Sequence, residues 1–141
     1  KTLVEEFSAR TGIATEFDTV VFRNRLGPDA KIALYRIAQE ALTNIERHAG
    51  ASRVTVDLRG HKRGATLRIS DNGVGLDRTS RQRASGIGLR NMQERVEQLD
   101  GQLRILSGAG GTAGTMIEAS VPLSHLLPPE PASPKKERAR A

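Results

Sequence analysis

The chain has 141 residues, enough for one domain whose core needs no covalent staples. It contains no cysteine, which excludes a disulfide frame and thiolate metal sites and leaves the compartment open. Of the net charge of +6, four basic against two acidic residues put +2 after Leu127, and the four aromatics all lie before that point. Nothing in that tail stacks on bases, so no nucleic-acid partner is expected.

In chain order, Gly12 to Phe22 reads as an extended stretch with Ile13 and Phe17 on one side. Leu26 to Asp29 is a turn, with Asp29 as the N-cap of a helix from about Ala30 to His48. Leu34, Ile37, Ala38, Ala41, Leu42 and Ile45 recur at helical spacing as its buried face, and Gly50 ends it. Val54, Val56 and Leu58 alternate with Arg53, Thr55, Asp57 and Arg59, a strand with one wet face. Gly60 to Gly64 is a turn, and Ala65 to Asp71 returns as the second strand of a hairpin. Leu76 to Ser85 has no periodicity and reads as a mobile loop.

A second helix is expected from Ile87 to about Leu99, with Leu89, Met92, Val96 and Leu99 inward and Gly101 as its stop. Leu103 and Ile105 begin a strand, Gly108 to Gly114 is a turn, and Ile117, Ala119 and Val121 alternate in a last strand closed by Pro122. Helices interspersed with strands that include a hairpin predict an α+β two-layer sandwich, a mixed sheet with helices on one face. Residues 1–127 form the expected domain. The Pro- and charge-rich residues 128–141 are expected to be disordered. No apolar run approaches the roughly 20 residues that cross a bilayer, and no signal peptide opens the chain. A cytoplasmic location is expected, with any membrane anchor elsewhere in a longer protein, since the chain begins at Lys1 without a methionine.

Three places carry possible chemistry. Glu40, Asn44 and His48 are spaced four apart and form one stripe bordering the buried face of the first long helix. The plain reading is a half-exposed helix flank. The functional one is that Asn44 offers a neutral oxygen to Mg²⁺, a cation that takes one or two protein ligands beside substrate phosphates. Asp71 shares parity with Ala65, Leu67 and Ile69, so its carboxylate points toward the core, a costly placement unless satisfied. It either caps the Asn72-Gly73 turn or accepts a hydrogen bond from the exocyclic amine of adenine. Guanine presents an acceptor there and would be rejected. Gly73 and Gly75 would let backbone approach a flat base. Gly86-Ile87-Gly88-Leu89 opens the second helix, where free N–H groups and the dipole favour phosphate. Otherwise it is a hinge without a ligand. Arg78, Arg81 and Arg83 in the loop before it are either phosphate contacts or simply solvated. Gly108 to Ala113 fits G-x-G-x-x-A, but a strand follows it where a dinucleotide site needs a helix. The three histidines, His48, His61 and His125, lack metal-ligand spacing.

The ordered blocks ALYRIAQEALTNIERHAGAS, DNGVGL and GIGLRNMQERVEQLDG resemble the GHKL superfamily of ATP-binding domains, over roughly Leu3 to Leu123. Their wording looks like the catalytic and ATP-binding domain of nitrate-sensor-type bacterial two-component histidine kinases. The resemblance implies a site that binds ATP and Mg²⁺. It puts the asparagine box on Glu40, Asn44, Arg47 and His48, with Asn44 the Mg²⁺ ligand and Glu40 the acidic catalytic position. Asp71, with Gly73 and Gly75, matches the adenine-binding aspartate. Gly86, Gly88 and Leu89 match the second glycine box, Leu76 to Ser85 the ATP lid, and Thr115 the threonine that holds adenine through water. The implied partners are a histidine-bearing dimerisation domain of the same protein, a response-regulator receiver domain, and a second copy in a full-length homodimer. No histidine here sits in a helix resembling a phosphoacceptor, so the chain is expected not to phosphorylate itself. An anti-sigma-type serine kinase and an ATP-hydrolysing relative are the alternatives.

Overall fold

In the computed structural model, which describes residues 2–20, 25–73, 86–107, 114–122, 124 and 126–127, the first element is a helix, α1 (Thr2–Thr11). Periodicity alone does not announce it. Its stretch TLVEEFSART has only Leu3, Val4 and Phe7 as large apolar residues, too few for a pattern. Val4 and Phe7 nevertheless fall one turn apart and are buried at 6% and 1% exposure. Strand β1 (Ala14–Val20) follows, within the stretch expected to be extended. Phe17 lies opposite Val56, yet at the sheet edge it stays 36% exposed. A short strand β2 (Arg25–Leu26) pairs with β7 (Leu126–Leu127).

Helix α2 (Pro28–Asn44) carries all but one of the residues assigned to its buried face, and that one, Ile45, is buried just beyond it. Its start differs from the expectation. Gly27 is the N-cap and Pro28 the first helical residue, with no side-chain cap. Proline suits that position, because its fixed φ is helical and its missing N–H would have no partner there. Asp29 falls inside the first turn, where its charge favours the helix dipole. After Asn44 the helix widens into a π-helical turn (Ile45–Ala49), which ends at Gly50 in a left-handed conformation, φ 60°.

Strands β3 (Arg53–His61) and β4 (Gly64–Asp71) form the hairpin, through Lys62 and Arg63. Helix α3 (Gly86–Glu97) follows. Its end corrects the sequence reading. Asp100, not Gly101, takes the left-handed conformation, φ 57°. Gly101 N–H bonds the Val96 carbonyl and Asp100 N–H the Glu97 carbonyl, the paired pattern of a Schellman end. Gly101 is needed for another reason: a Cβ there would lie 2.1 Å from the Ser120 carbonyl oxygen.

Strands β5 (Gln102–Ser107) and β6 (Thr115–Pro122) complete a five-stranded sheet in the order β1-β3-β4-β6-β5. β1 runs parallel to β3 and the other pairs are antiparallel, so the sheet is mixed. The buried residues of the three helices and of the sheet's inner face make one cluster. The result is the expected α+β architecture. On the inner face, register aligns Phe17, Val56, Ile69, Ile117 and Ile105 in one row; the matching outer row is Asp18, Asp57, Arg68, Glu118 and Arg104. Arg68 holds Glu118 at 2.6 Å. Asp57, expected to be wet, is 8% exposed. Arg59 satisfies its Oδ2 at 2.7 Å, while Oδ1 has no partner among the described residues. Among the described residues, no helix is long and apolar enough to cross a membrane.

Candidate functional site

Asn44, Asp71 and Thr115 come from α2, β4 and β6 and line one cavity, whose apolar walls are Ala41, Ile45, Ile69 and Ile117. Topology explains the meeting. β4 and β6 are neighbours, with Ile69 opposite Ile117 and Ser70 opposite Met116. One further step brings Asp71 beside Thr115, on the face covered by α2. Asn44 is the last residue of α2, three after buried Ala41, so it projects over the strand ends.

Asp71 sits at the junction of core and solvent. Desolvation raises its carboxyl above the usual aspartate range, and backbone N–H groups of Gly73 and Thr115 pull it partly back. The Gly73 N–H reaches Asp71 Oδ1 at 2.8 Å. The turn-capping reading of Asp71 is therefore realised, and the residue also lines the cavity. Gly114 makes this arrangement possible. Its φ is 112°, and a Cβ there would lie 1.9 Å from the Asp71 carbonyl oxygen. Only glycine lets the start of β6 come so close to the end of β4.

Asn44 completes the polar lining. Its Nδ2 is buried and has no hydrogen-bond partner among the described residues. An unpartnered buried amide is costly, which suits a group held for a ligand. The cavity encloses about 20 Å³, the room of a single water. Asp71 as acceptor, a hydroxyl at Thr115 and a neutral amide at Asn44 are the polar groups of an otherwise apolar lining.

Asp29, Ile32 and Ala33 of α2 share a groove with Arg95, Gln98 and Leu99, so the start of α2 lies beside the end of α3. α3 is 12 residues long. No acidic residue occupies the first turn of α3.

The other candidates divide. Glu40 is half-buried one turn before Asn44 and does not line the cavity; Arg47 is exposed. Gly73 is buried beside Asp71, and Leu89 packs against the core cluster. The side chain of His48, together with Gly75, Leu76 to Ser85 with Arg78, Arg81 and Arg83, the turn residues 108–113, His125 and the tail, lies outside the described residues. Sequence reasoning took Asn72 only as a turn residue. Its side chain in fact bonds Ser52 and Arg53, and no spacing rule signals that.

A family model described as histidine kinase-, DNA gyrase B-, and HSP90-like ATPase matches residues 29–125. Sensor histidine kinase MctS of Rhizobium johnstonii is 44% identical over 128 residues, 89% of this chain and 27% of that protein. Signal transduction histidine-protein kinase/phosphatase DegS of Brevibacillus brevis is 40% identical, over 88% of this chain and 31% of its own length. The chain thus spans less than a third of these relatives. Among solved structures, mycobacterial sensor histidine kinase MprB superposes with a TM-score of 0.65 at 25% identity, covering 90% of this chain and 93% of that one. The ATP binding domain of PrrB from Mycobacterium tuberculosis gives 0.65 at 17% identity, covering 86% and 91%, a likeness of fold. With the family matched over most of its length and that fold beneath the cavity, the chain belongs to the histidine kinase-, DNA gyrase B- and HSP90-like ATPases.

Proposed function

We propose that the chain is the ATP·Mg²⁺-binding catalytic domain of a sensor histidine kinase. The observation that carries this is the convergence of Asn44, Asp71 and Thr115, far apart in sequence, on one cavity. Asp71 accepts from the exocyclic amine of adenine, and Thr115 shares a water with it. Gly73 and Gly75 give the base room. Asn44 offers its amide oxygen to Mg²⁺ without adding negative charge beside the triphosphate. Arg47 and His48 flank it on the asparagine box. Gly86, Gly88 and Leu89 form a helix start whose N–H groups face phosphate, and residues 76–85 act as the lid. Glu40 prepares the acceptor histidine.

ATP supplies the γ-phosphoryl group when bound. The chain contributes position and charge neutralisation, the main levers in phosphoryl transfer. The acceptor is a histidine on a dimerisation domain of the same protein, and a response-regulator receiver domain takes the phosphate next. The full-length protein is a homodimer, its catalytic part cytoplasmic and any anchor elsewhere. The relatives' names, sensor histidine kinase and histidine-protein kinase/phosphatase, support this reading over a serine kinase.

A calorimetric titration with ATP and with GTP, each with Mg²⁺, tests it. ATP binding with GTP at least about tenfold weaker is expected, since a base-edge mismatch leaves buried polar groups unpaired. Equal binding of both nucleotides, or of neither, would remove the base assignment.

A further inference from the structure

We propose that Asn72 is a positioning residue that fixes the spacing between the base-reading end of the nucleotide site and its metal-facing end. The inference rests on the nucleotide reading above. Asn72 is exposed, yet its side chain bridges two segments. Its Oδ1 accepts the backbone N–H groups of Ser52 and Arg53, both at 3.0 Å. Its Nδ2 donates to Ser52 Oγ at 3.0 Å. Its own backbone N–H donates to the Arg53 carbonyl at 3.2 Å. Ser52 is anchored in turn, its carbonyl accepting the Ala14 N–H at 3.1 Å.

The placement gives these bonds their meaning. Asn72 directly follows Asp71, and Ser52 comes two residues after Gly50, where the helix carrying Asn44 stops. Between Asn44 and Ser52 the chain passes through the π-helical turn and a left-handed glycine. Neither belongs to a sheet ladder that would fix the helix end against the strand end. The Asn72 amide holds the strand end after Asp71 to Ser52 and Arg53, the point at which the chain leaves that turn for β3. Only a planar group with both an acceptor and a donor makes all three side-chain bonds, so alanine makes none.

Asp71 does not depend on that link. It is aligned with Val54 across the hairpin and held by the N–H groups of Gly73 and Thr115. The consequence separates two ligands. Adenosine needs the Asp71 end alone, whereas ATP·Mg²⁺ needs both ends at a set separation.

Amide-shift titrations of the 141-residue chain with adenosine and with ATP plus Mg²⁺, before and after Asn72→Ala, test the role. Losing bonds of ordinary strength should weaken ATP·Mg²⁺ about fivefold to tenfold and leave adenosine within about twofold. Ser52→Ala removes a single bond and should move the same ratio in the same direction by about twofold; it carries the test if Asn72→Ala does not fold. A parallel loss for both ligands means a merely structural role and overturns the proposal, as does an unchanged ATP·Mg²⁺ affinity. If the unsubstituted chain bound neither ligand, the nucleotide reading itself would fall. Binding by that chain with an unmoved ratio in the variants would sink the role of Asn72 alone.

Discussion

Asp71 carries opposing demands. Burial holds its carboxyl above the ordinary range, so in the window between its unfolded and folded values the folded chain binds more protons. Stability contributed by this group is greatest at low pH and falls as pH rises through the folded value. Ionising this partly buried side chain is therefore a cost to folding. Asp71→Asn should therefore melt no lower than the unsubstituted chain at pH 7, while adenosine affinity drops more than about tenfold. Paired thermal melts and titrations check it; a lower Tm with retained affinity would reverse the account. Adenosine binding to the unsubstituted chain should also weaken as acid protonates the carboxylate, beginning above the usual aspartate value of 3.8.

The elements place these side chains through close approaches that only certain residues allow. Gly114→Ala should cost about 2–4 kcal/mol in urea unfolding, because it adds both a clash and backbone strain. Asp100 shows the opposite case, a non-glycine residue in a left-handed helix end. Asp100→Gly should stabilise by about 0.5–1 kcal/mol in the same experiment. At this scale the sequence was most legible where one period dominated. The apolar stripe of α2, the β3–β4 hairpin and the alternation of β6 follow directly from side-chain spacing. Helix α1 did not, because its stripe is two residues deep and its stability comes from docking onto a core assembled elsewhere. The N-cap shifted from Asp29 to Gly27 because proline's ring geometry outweighed a capping preference. Asp57 looked solvent-facing by alternation, which says which face a residue takes but not how deeply its neighbours cover it. At the site, the residue types were readable and the resemblance already implied that they meet; spacing alone does not give the β4–β6 pairing that puts Thr115 beside Asp71.

At the scale of the whole molecule, the described residues offer no evident acceptor for a phosphoryl group. Among the described residues His61 stands at the hairpin end of β3, opposite Gly64, whereas Asp71 pairs at the other end with Val54. Seven residues of strand separate the two ends, roughly 23 Å. The ring of His61 is already engaged, Nε2 with Thr66 Oγ1 at 2.9 Å and Nδ1 with the Arg63 N–H at 3.2 Å. The isolated chain should bind ATP but retain no acid-labile label from γ-labelled nucleotide. Adding a histidine-bearing helical dimerisation domain should restore labelling of that partner; stable label on the isolated chain would refute the division of labour.

Phe7, at 1% exposure, has a practical corollary for anyone trimming the gene. The family match begins only at residue 29, and a clone cut to that boundary would discard a ring on which the interior closes, along with an entire outer strand. Losing a buried phenylalanine alone costs about 3–5 kcal/mol, a large share of what holds a domain of this size together. The shortened product should come out of the cell insoluble, and its silence toward nucleotide would say nothing about the pocket.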